Sequence, residues 1–298
     1  MTKASEVVCV VDSASRLGEG PCWSAEEGRL YWFDIKGRTL NWYEPVTGQS
    51  RSANLQVRAS AAAVCRHGGL LVATDQGLAH WNPADEALRI VTPFDFAPGY
   101  RTNDGKIDPS GCFWWSTMDD DGGCRPGTLY RTDPEGVTEV ILDDLHIPNT
   151  VSFSADGKTL YLADSQLKTL YACDPQNPLG RTVFADTRDE AATPDGGAID
   201  AEGCLWNAQW GGWRVVRYAR DGRIDRMIPM PIEQPTSCAF GGPDLATLFV
   251  TSAWDGLTED ARRSQPLAGG VFALQPGVAG LPLPLYDGPI IDQEPPHG

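Results

Sequence analysis

Four residues with carboxylate or amide side chains occur in sequence contexts rich in Gly, Pro or charged residues. They are Glu19 in LGEGP, Asn103 in RTNDGK, Asn149 in IPNT and Asp195 in TPDGG. Carboxylate and amide oxygens are hard ligands that suit Ca²⁺, Mg²⁺ or Mn²⁺. A cation with few protein ligands keeps open positions for water and substrate, as metal-assisted catalysis requires. Taken singly, each residue also fits an ordinary turn, because Asp-Gly and Pro-Asn are common turn pairs.

A repeat along the chain supplies the elements that would position these side chains. Six short strand-like runs recur, namely RLYWFD, LLVATD, CFWWST, TLYLAD, CLWNAQ and TLFVTS. Their marker residues are spaced 40, 43, 47, 45 and 43 positions apart, and are Leu30, Leu70, Phe113, Leu160, Leu205 and Leu248. A unit of about 40–50 residues is the size of one four-stranded propeller blade. A turn rich in Gly, Asp or Ser precedes each run, which favours an all-β fold.

The repeats predict one all-β domain spanning residues 1–298, a six-bladed β-propeller with four-stranded blades and a central channel. The run EVVCVVD at 6–12 precedes the first blade, and the run LPLPLYDG at 281–288 follows the last. We expect these two terminal runs to meet in one blade. The termini would then close the ring and leave no exposed sheet edge.

The four polar residues fall at nearly the same phase of this repeat. Glu19 and Asn149 lie 11 residues before their markers, and Asn103 and Asp195 lie 10 residues before theirs. The innermost strand of each propeller blade lines the central channel, so equivalent positions converge on one axis. We therefore expect the four side chains to point into one mouth of the channel, although they are distant in sequence.

The composition is that of a folded, acidic protein. Of its 298 residues, 24 are basic and 40 acidic, which gives a formal net charge of -16. Nucleic-acid binding depends on Lys and Arg, so this charge argues against nucleic acid or an anionic membrane as a partner. The sequence also lacks the G-x-S-x-G, H-E-x-x-H and Walker motifs, which disfavours a serine α/β-hydrolase, a zinc protease and a P-loop enzyme.

Several features favour a cytoplasmic protein. None of the eight cysteines forms a C-x-x-C pair and most lie beside apolar runs, so we expect buried free thiols. The N-terminus does not read as a secretory signal, and no run approaches the roughly 20 apolar residues of a membrane span. Most of the ten tryptophans are expected in the core, with Trp210 as a candidate wall of the site.

Over nearly its whole length the chain resembles the SMP-30/gluconolactonase family of regucalcin-like sugar lactonases. The resembling segments are LGEGPCW, YRTNDGKIDPSGCFWWSTM, IPNTVSFSADGKTLYLADS, PDGGAIDAEGCLWNAQWGG, FGGPDLATLFVTSA and PLAGGVFAL. The resemblance implies one divalent cation in the channel of a six-bladed propeller. It places the metal ligands on Glu19, Asn149 and Asp195, and it makes Asp195 catalytic as well.

The same resemblance implies a set of substrate contacts. The Arg and Asn of the R-x-N-D-G-K motif fall on Arg101 and Asn103. An acidic residue after the Thr-Met pair often touches sugar hydroxyls in this family. In this chain the stretch is TMDDDGG, so Asp119, Asp120 and Asp121 are all candidates.

The expected reaction is metal-assisted hydrolysis of a sugar lactone to its aldonic acid in sugar catabolism, with a small-molecule substrate and no obligatory protein partner. The cation would polarise the lactone carbonyl, Asp195 would act as general base, and Arg101 would donate to sugar oxygens. The identity of the cation is left open, with Ca²⁺, Zn²⁺, Mn²⁺, Mg²⁺ and Fe²⁺ as the candidates. Two alternatives remain, because fold alone does not decide function. One is a non-catalytic propeller that binds calcium or a partner protein, and the other is a promiscuous esterase or organophosphatase.

Overall fold

The computed structural model describes residues 6–290, whose strands build six antiparallel sheets of four strands each. The first strand is β1 (Val8–Val11), and the following strands of blades 1 to 3 are β2 (Gly18–Ser24), β3 (Arg29–Asp34), β4 (Thr39–Glu44), β5 (Gln49–Asn54), β6 (Ala59–Val64), β7 (Leu70–Thr74), β8 (Gly77–Asn82), β9 (Ala87–Pro93), β10 (Tyr100–Ile107), β11 (Phe113–Asp119), β12 (Gly127–Thr132) and β13 (Thr138–Leu145). Blades 4 to 6 contain β14 (Pro148–Phe153), β15 (Leu160–Asp164), β16 (Thr169–Cys173), β17 (Thr182–Asp186), β18 (Thr193–Ile199), β19 (Leu205–Trp210), β20 (Arg214–Tyr218), β21 (Ile224–Pro229), β22 (Pro235–Gly241), β23 (Thr247–Ser252) and β24 (Val271–Leu274). A 3₁₀ turn spans Pro178–Gly180, and a short helix α1 spans Glu259–Ser264.

The first strand of each blade faces the centre of a ring. Strands β2, β6, β10, β14, β18 and β22 contact one another in that circular order, and β22 returns to β2. Burial falls from the inner to the outer strand, since β2 is buried throughout and β5 is mostly exposed. The prediction of an all-β, six-bladed propeller with a central channel is confirmed.

The ring is closed by strands from both ends of the chain. β1 pairs with β24, so the sixth blade has the strand order β1-β24-β23-β22. The prediction that the run at 281–288 joins this blade is wrong. The sheet is already complete with four strands, and Pro282 and Pro284 lack the N–H groups that a strand needs to pair.

The segment 279–286 instead forms a strap across the channel mouth at the carboxyl ends of the inner strands. At one end Ala201 N donates to Ala279 O at 2.8 Å, which anchors the strap to blade 5. At the other end Tyr286 N donates to Val64 O at 2.8 Å, next to blade 2. Blades 5 and 2 are opposite in a ring of six, so the strap spans the full width of the mouth.

Buried aromatic residues fill the spaces between blades. Seven of the ten tryptophans are buried, namely Trp23, Trp32, Trp42, Trp81, Trp114, Trp115 and Trp206. This placement confirms the expectation that most tryptophans belong to the core. All eight cysteines are free thiols and six are buried, as expected, with Cys124 exposed. In the described range no helix has the length and apolar character that crossing a membrane requires.

Candidate active site

Each inner strand carries an irregularity in its pairing at the same step. The register shifts between Glu19 and Cys22 in β2, between Asn149 and Ser152 in β14, and at equivalent places in the other four inner strands. Bulges of this kind bend a strand and re-aim its side chains, and they are frequent next to active sites. The bulges therefore allow side chains of these regularly paired inner strands to point into the channel.

Strand pairing defines the repeat phase more sharply than sequence spacing does. Six residues lie four positions before the inner-strand partner of their marker, namely Glu19, Ser60, Asn103, Asn149, Asp195 and Thr236. The four residues expected at one phase are therefore equivalent. Sequence reasoning missed Ser60 and Thr236, both fully buried, because small hydroxyl residues are unremarkable in a β protein.

One cavity of about 410 Å³ brings the predicted site residues together at the mouth opposite the strap. Its lining includes Glu19, Arg101, Asn103, Asp120, Asn149 and Asp195, together with Lys36, Gln166, Lys168, Trp210 and Asp255. Asp121 is exposed and lies outside this lining, and Asp119 is buried in an ion pair with Arg125 at 2.8 Å. Of the three adjacent acids, the structure thus places Asp120 in the cavity.

Two buried carboxylates in the cavity, Glu19 and Asp195, form no ion pair with a cationic side chain of residues 6–290. The Glu19 side chain accepts a hydrogen bond from Gly20 N at 3.3 Å. Burial, and then the charge of Asp104, raises the pKa of Glu19 to about 8. Burial likewise raises the pKa of Asp195, followed by repulsion from Glu19 and Asp104. Buried acids of like charge that repel one another favour a cation between them.

The amide of Asn149 is held from both sides. Its Nδ2 donates to Ser165 Oγ at 2.8 Å, and Ser165 Oγ donates to Pro194 O at 2.6 Å. Asn103 Nδ2 donates to Asn149 Oδ1 at 3.1 Å and to Pro148 O at 2.9 Å. These bonds turn the carbonyl oxygen of Asn149 toward the cavity side where Asn103 also lies. Ser165 was not predicted from the sequence, because it joins Asn149 to Pro194 of the next blade.

Arg101 lies at the centre of a second network. Its Nε donates to Asp120 Oδ1 at 2.7 Å, and its Nη1 donates to Asn103 Oδ1 at 2.8 Å and Thr102 O at 2.9 Å. Asp120 Oδ2 accepts from Arg58 Nη1 at 2.8 Å, so two guanidinium groups hold this carboxylate. Arg58, which sequence reasoning missed, is fixed in turn by Asp75 at 2.9 Å. Arg101 and Asp120 therefore present an ordered pair of donor and acceptor groups to a ligand.

One residue with a strained backbone, Thr150, directly follows Asn149 in the inner strand β14. Thr150 has φ of +61°, a left-handed conformation that costs about 1–3 kcal/mol for a β-branched residue. Its Oγ1 donates to the carbonyl oxygen of Asp195, which also accepts from Asn207 Nδ2 at 2.8 Å. These bonds stabilise the strained residue and link the backbones that carry Asn149 and Asp195.

A glycine beside Glu19 is required by close contact with the neighbouring blade. Gly20 has φ of +56°, and a Cβ there would lie 2.0 Å from Ser60 O. Only glycine fits, which explains the G-E-G context of Glu19.

The residues between 6 and 290 contain no group of three or more His, Cys, Asp and Glu arranged to hold a metal ion. The expected ligands are Glu19, Asn149 and Asp195. One of the three is an amide, so the set contains only two residues of the types that such a group requires. The other acid nearby, Asp104, is engaged by Val151 N at 2.9 Å.

Known proteins match this chain in both sequence and fold. Residues 17–254 match the family described as SMP-30/Gluconolactonase/LRE-like region. Regucalcin from Xenopus laevis is 34% identical over 291 residues, covering 93% of this chain and 96% of the relative. A 6-deoxy-6-sulfogluconolactonase from Pseudomonas putida is 34% identical over 288 residues, covering 94% and 98%. The crystal structure of a calcium-binding protein, regucalcin, from Agrobacterium tumefaciens has a TM-score of 0.89 at 33% identity, covering 95% and 97%.

Proposed function

The chain belongs to the SMP-30/gluconolactonase/LRE-like family, and from this membership we propose that it is a metal-dependent hydrolase that opens sugar lactones to aldonic acids. One observation carries the proposal, namely that Glu19, Asn149 and Asp195 come from three blades and line one cavity. A relative named as a sugar lactonase covers almost the whole chain and supports the reaction class.

The donor set fits a divalent cation. Glu19 and Asp195 are 8% and 6% exposed, and their mutual repulsion would be relieved by a positive ion between them. We propose that these two carboxylates and the amide oxygen of Asn149 hold it. When bound, such a cation supplies Lewis-acid polarisation of the lactone carbonyl. Oxygen ligands accept Ca²⁺, Mg²⁺ or Mn²⁺, and Zn²⁺ or Fe²⁺ also stay candidates.

Asp195 is the residue we assign to proton transfer. In the proposed step a water oxygen attacks the acyl carbon of the lactone, and the Asp195 carboxylate accepts the proton that the water loses. The bond between the acyl carbon and the ring oxygen then breaks, and the ring oxygen takes up the proton from Asp195 to become a hydroxyl, which restores the carboxylate. One lactone and one water yield one hydroxy acid, so the atoms balance.

The Arg101 network would orient the sugar. We propose that Arg101 donates to sugar hydroxyls through its Nη2 group and that the carboxylate of Asp120, which also lines the cavity, accepts from them. Asn103 would contribute a further polar contact while it holds Asn149. Asp121 is a weaker candidate for the acidic contact because it lies outside the cavity lining.

Domain organisation and location are further parts of the proposal. We propose that residues 1–298 act as one domain in the cytoplasm, on a small-molecule lactone and without an obligatory protein partner. Eight free thiols and a net charge of -16 support that setting.

A blank-subtracted acid-release assay tests the proposed function. Gluconolactone, arabinonolactone, xylonolactone and galactonolactone are each followed in a pH-stat with purified protein, with and without chelator. We expect hydrolysis of at least one lactone above the spontaneous rate, and loss of that activity on chelation. An Asp195→Asn sample prepared in parallel controls for a contaminating lactonase.

The same assay separates the alternatives. Hydrolysis of phenyl acetate or paraoxon but of no sugar lactone would favour a promiscuous esterase or organophosphatase. Calcium binding with no hydrolysis of any substrate would favour a non-catalytic propeller, and the Agrobacterium tumefaciens relative is described as a calcium-binding protein.

A further inference from the structure

We propose that Lys168 makes the cavity selective for sugar lactones that carry a second, anionic group at the end of the sugar remote from the ester; this inference rests on the proposed lactonase function. The observation behind it is a lysine in the cavity lining that no carboxylate neutralises. The chemical class of ligand is a lactone with a carboxylate or phosphate substituent.

Three cationic side chains line the cavity, and two of them are paired with acids that line it too. Lys36 Nζ lies 2.7 Å from Asp255, and Arg101 lies 2.7 Å from Asp120. Lys168 has no carboxylate within ion-pair distance among residues 6–290. Its Nζ donates to two backbone carbonyls, Glu190 O at 2.6 Å and Ala191 O at 3.3 Å.

The acid closest in sequence to these carbonyls is already engaged. The Glu190 side chain forms an ion pair with Arg214 of blade 5, so it does not neutralise Lys168. An ammonium group has three N–H donors, and the two carbonyls use two of them. The third donor and the positive charge are not taken up by a carboxylate among residues 6–290, and we propose that a ligand in the cavity uses them.

The backbone that carries Lys168 is well fixed. Lys168 N donates to Ser165 O at 3.2 Å, while Lys168 O accepts from Thr187 N at 3.0 Å and Thr187 Oγ1 at 2.9 Å. Lys168 itself lies in the left-handed region, with φ of +52°. This turn therefore presents the lysine from a defined position at the cavity wall.

The turn that carries Lys168 is hydrogen-bonded to Asn149, at the end of the cavity where we propose that the ester binds. Ser165, three residues before Lys168, accepts the hydrogen bond from Asn149 Nδ2 at 2.8 Å. A lactone with its ester beside Asn149 and Asp195 would extend along a wall to which Lys168 belongs. An anionic substituent would then form a charge-assisted hydrogen bond, whereas a neutral hydroxymethyl group would leave the lysine charge unpaired.

A matched pair of substrates tests this inference. D-glucono-1,4-lactone and D-glucaro-1,4-lactone share one ring and differ at C6, which is a hydroxymethyl group in the first and a carboxylate in the second. A phosphate arm uses 6-phosphoglucono-1,5-lactone against glucono-1,5-lactone. The variants are Lys168→Gln, which keeps N–H donors for the two carbonyls, Lys168→Arg, which keeps the charge, and Lys158→Gln, an exposed control on a remote turn.

We expect Lys168→Gln to lower kcat/KM about ten- to hundredfold for an anionic lactone and less than about twofold for its neutral partner, since a hydrogen bond to a charged group is worth about 1.5–3 kcal/mol. Lys168→Arg should retain most of the preference, and Lys158→Gln all of it. Calorimetric titration of glucarate and gluconate gives a readout separate from turnover. Lys168→Gln should weaken binding of glucarate and leave binding of gluconate unchanged.

The results distinguish two kinds of failure. If the wild type hydrolyses the neutral lactones and Lys168→Gln changes both members of each pair equally, the inference about Lys168 is wrong and the lactonase proposal stands. If the wild type hydrolyses none of the lactones, the proposed function itself has failed. A preference in only the carboxylate arm or only the phosphate arm identifies which anion the cavity accepts.

Discussion

Asn103 Nδ2 donates a hydrogen bond to Asn149 Oδ1 at 3.1 Å, which joins the inner strands of blades 3 and 4 at equivalent positions. Asn103 also accepts from Arg101 through its own Oδ1. One amide therefore links a proposed metal ligand to the residue that would orient the sugar. The proposed metal binding and the proposed substrate binding would therefore both depend on this contact.

Asn103→Ala should weaken cation binding even though Asn103 is not a proposed ligand. Loss of a side chain that orients a ligand typically costs about 10–100-fold in metal affinity. Calorimetric titration of Mn²⁺ into chelator-treated protein measures the change. Asn41→Ala removes a buried amide that bonds Thr39 outside the cavity, and should leave the affinity unchanged. Equal affinities in the wild type and Asn103→Ala would contradict the positioning role.

Asp195→Asn should reduce kcat by about 10²–10⁴-fold, the usual contribution of general acid–base catalysis. The amide keeps an oxygen ligand but cannot accept a proton from water. The rate is measured with saturating cation, so that weaker metal binding does not account for the loss. A variant with full kcat and bound cation would show that another group accepts the proton.

Asp120→Asn and Asp121→Asn should affect KM differently, although the two acids are adjacent in sequence. Asp120→Asn weakens the ion pairs with Arg58 and Arg101 in the cavity, so we expect KM to rise about tenfold, a loss of about 1.4 kcal/mol. Asp121→Asn alters an exposed side chain outside the lining, and KM should stay within about twofold. Steady-state kinetics on the preferred lactone make the comparison, and the reverse order of effects would move the substrate contact to Asp121.

Tyr286→Ala should destabilise the fold without changing the site. Tyr286 is 3% exposed, and its hydroxyl donates to Asp133 O at 3.0 Å, so its truncation should cost about 3–5 kcal/mol of unfolding free energy. Leu283→Ala in the same strap is a control, because Leu283 is 43% exposed and its loss should cost less than about 0.5 kcal/mol. Urea denaturation gives both values. The cavity lies at the other mouth, so a raised KM in Tyr286→Ala would show unexpected coupling between the mouths.

Much of the fold was predictable because it repeats. Regular spacing of strand-like runs defines blades, and ring closure brings residues of one phase to one axis, so Glu19, Asn149 and Asp195 could be grouped without any local motif. Sequence distance to a marker varied between 10 and 11 residues because hairpin loops differ in length. When positions are counted from the strand partner of each marker, the distance is the same in all six blades. This count adds Ser60 and Thr236 to the equivalent positions.

Contacts between blades were not predictable. Ser165, which orients Asn149, also bonds Pro194 O of the next blade, and Asn207, which holds the Asp195 backbone, also bonds Thr150 of the preceding blade. Arg58 fixes Asp120 from a different blade. The strap was misassigned as a strand because Leu and Tyr alternate with Pro in LPLPLY, which looks like an edge strand in a one-dimensional pattern. Its true partners, Ala201 and Val64, are set only by the closed ring.

The cation site is tested most directly by a cation titration of lactonase activity in demetallated protein, for the wild type and Glu19→Gln. We expect no activity above the spontaneous rate without cation, and full recovery in the wild type at one ion per chain. Glu19→Gln should need at least about tenfold more cation, because a carboxylate ligand has lost its charge. A demetallated wild type that keeps its full rate, or a Glu19→Gln titration that matches the wild type, would contradict a cation held by Glu19, Asn149 and Asp195.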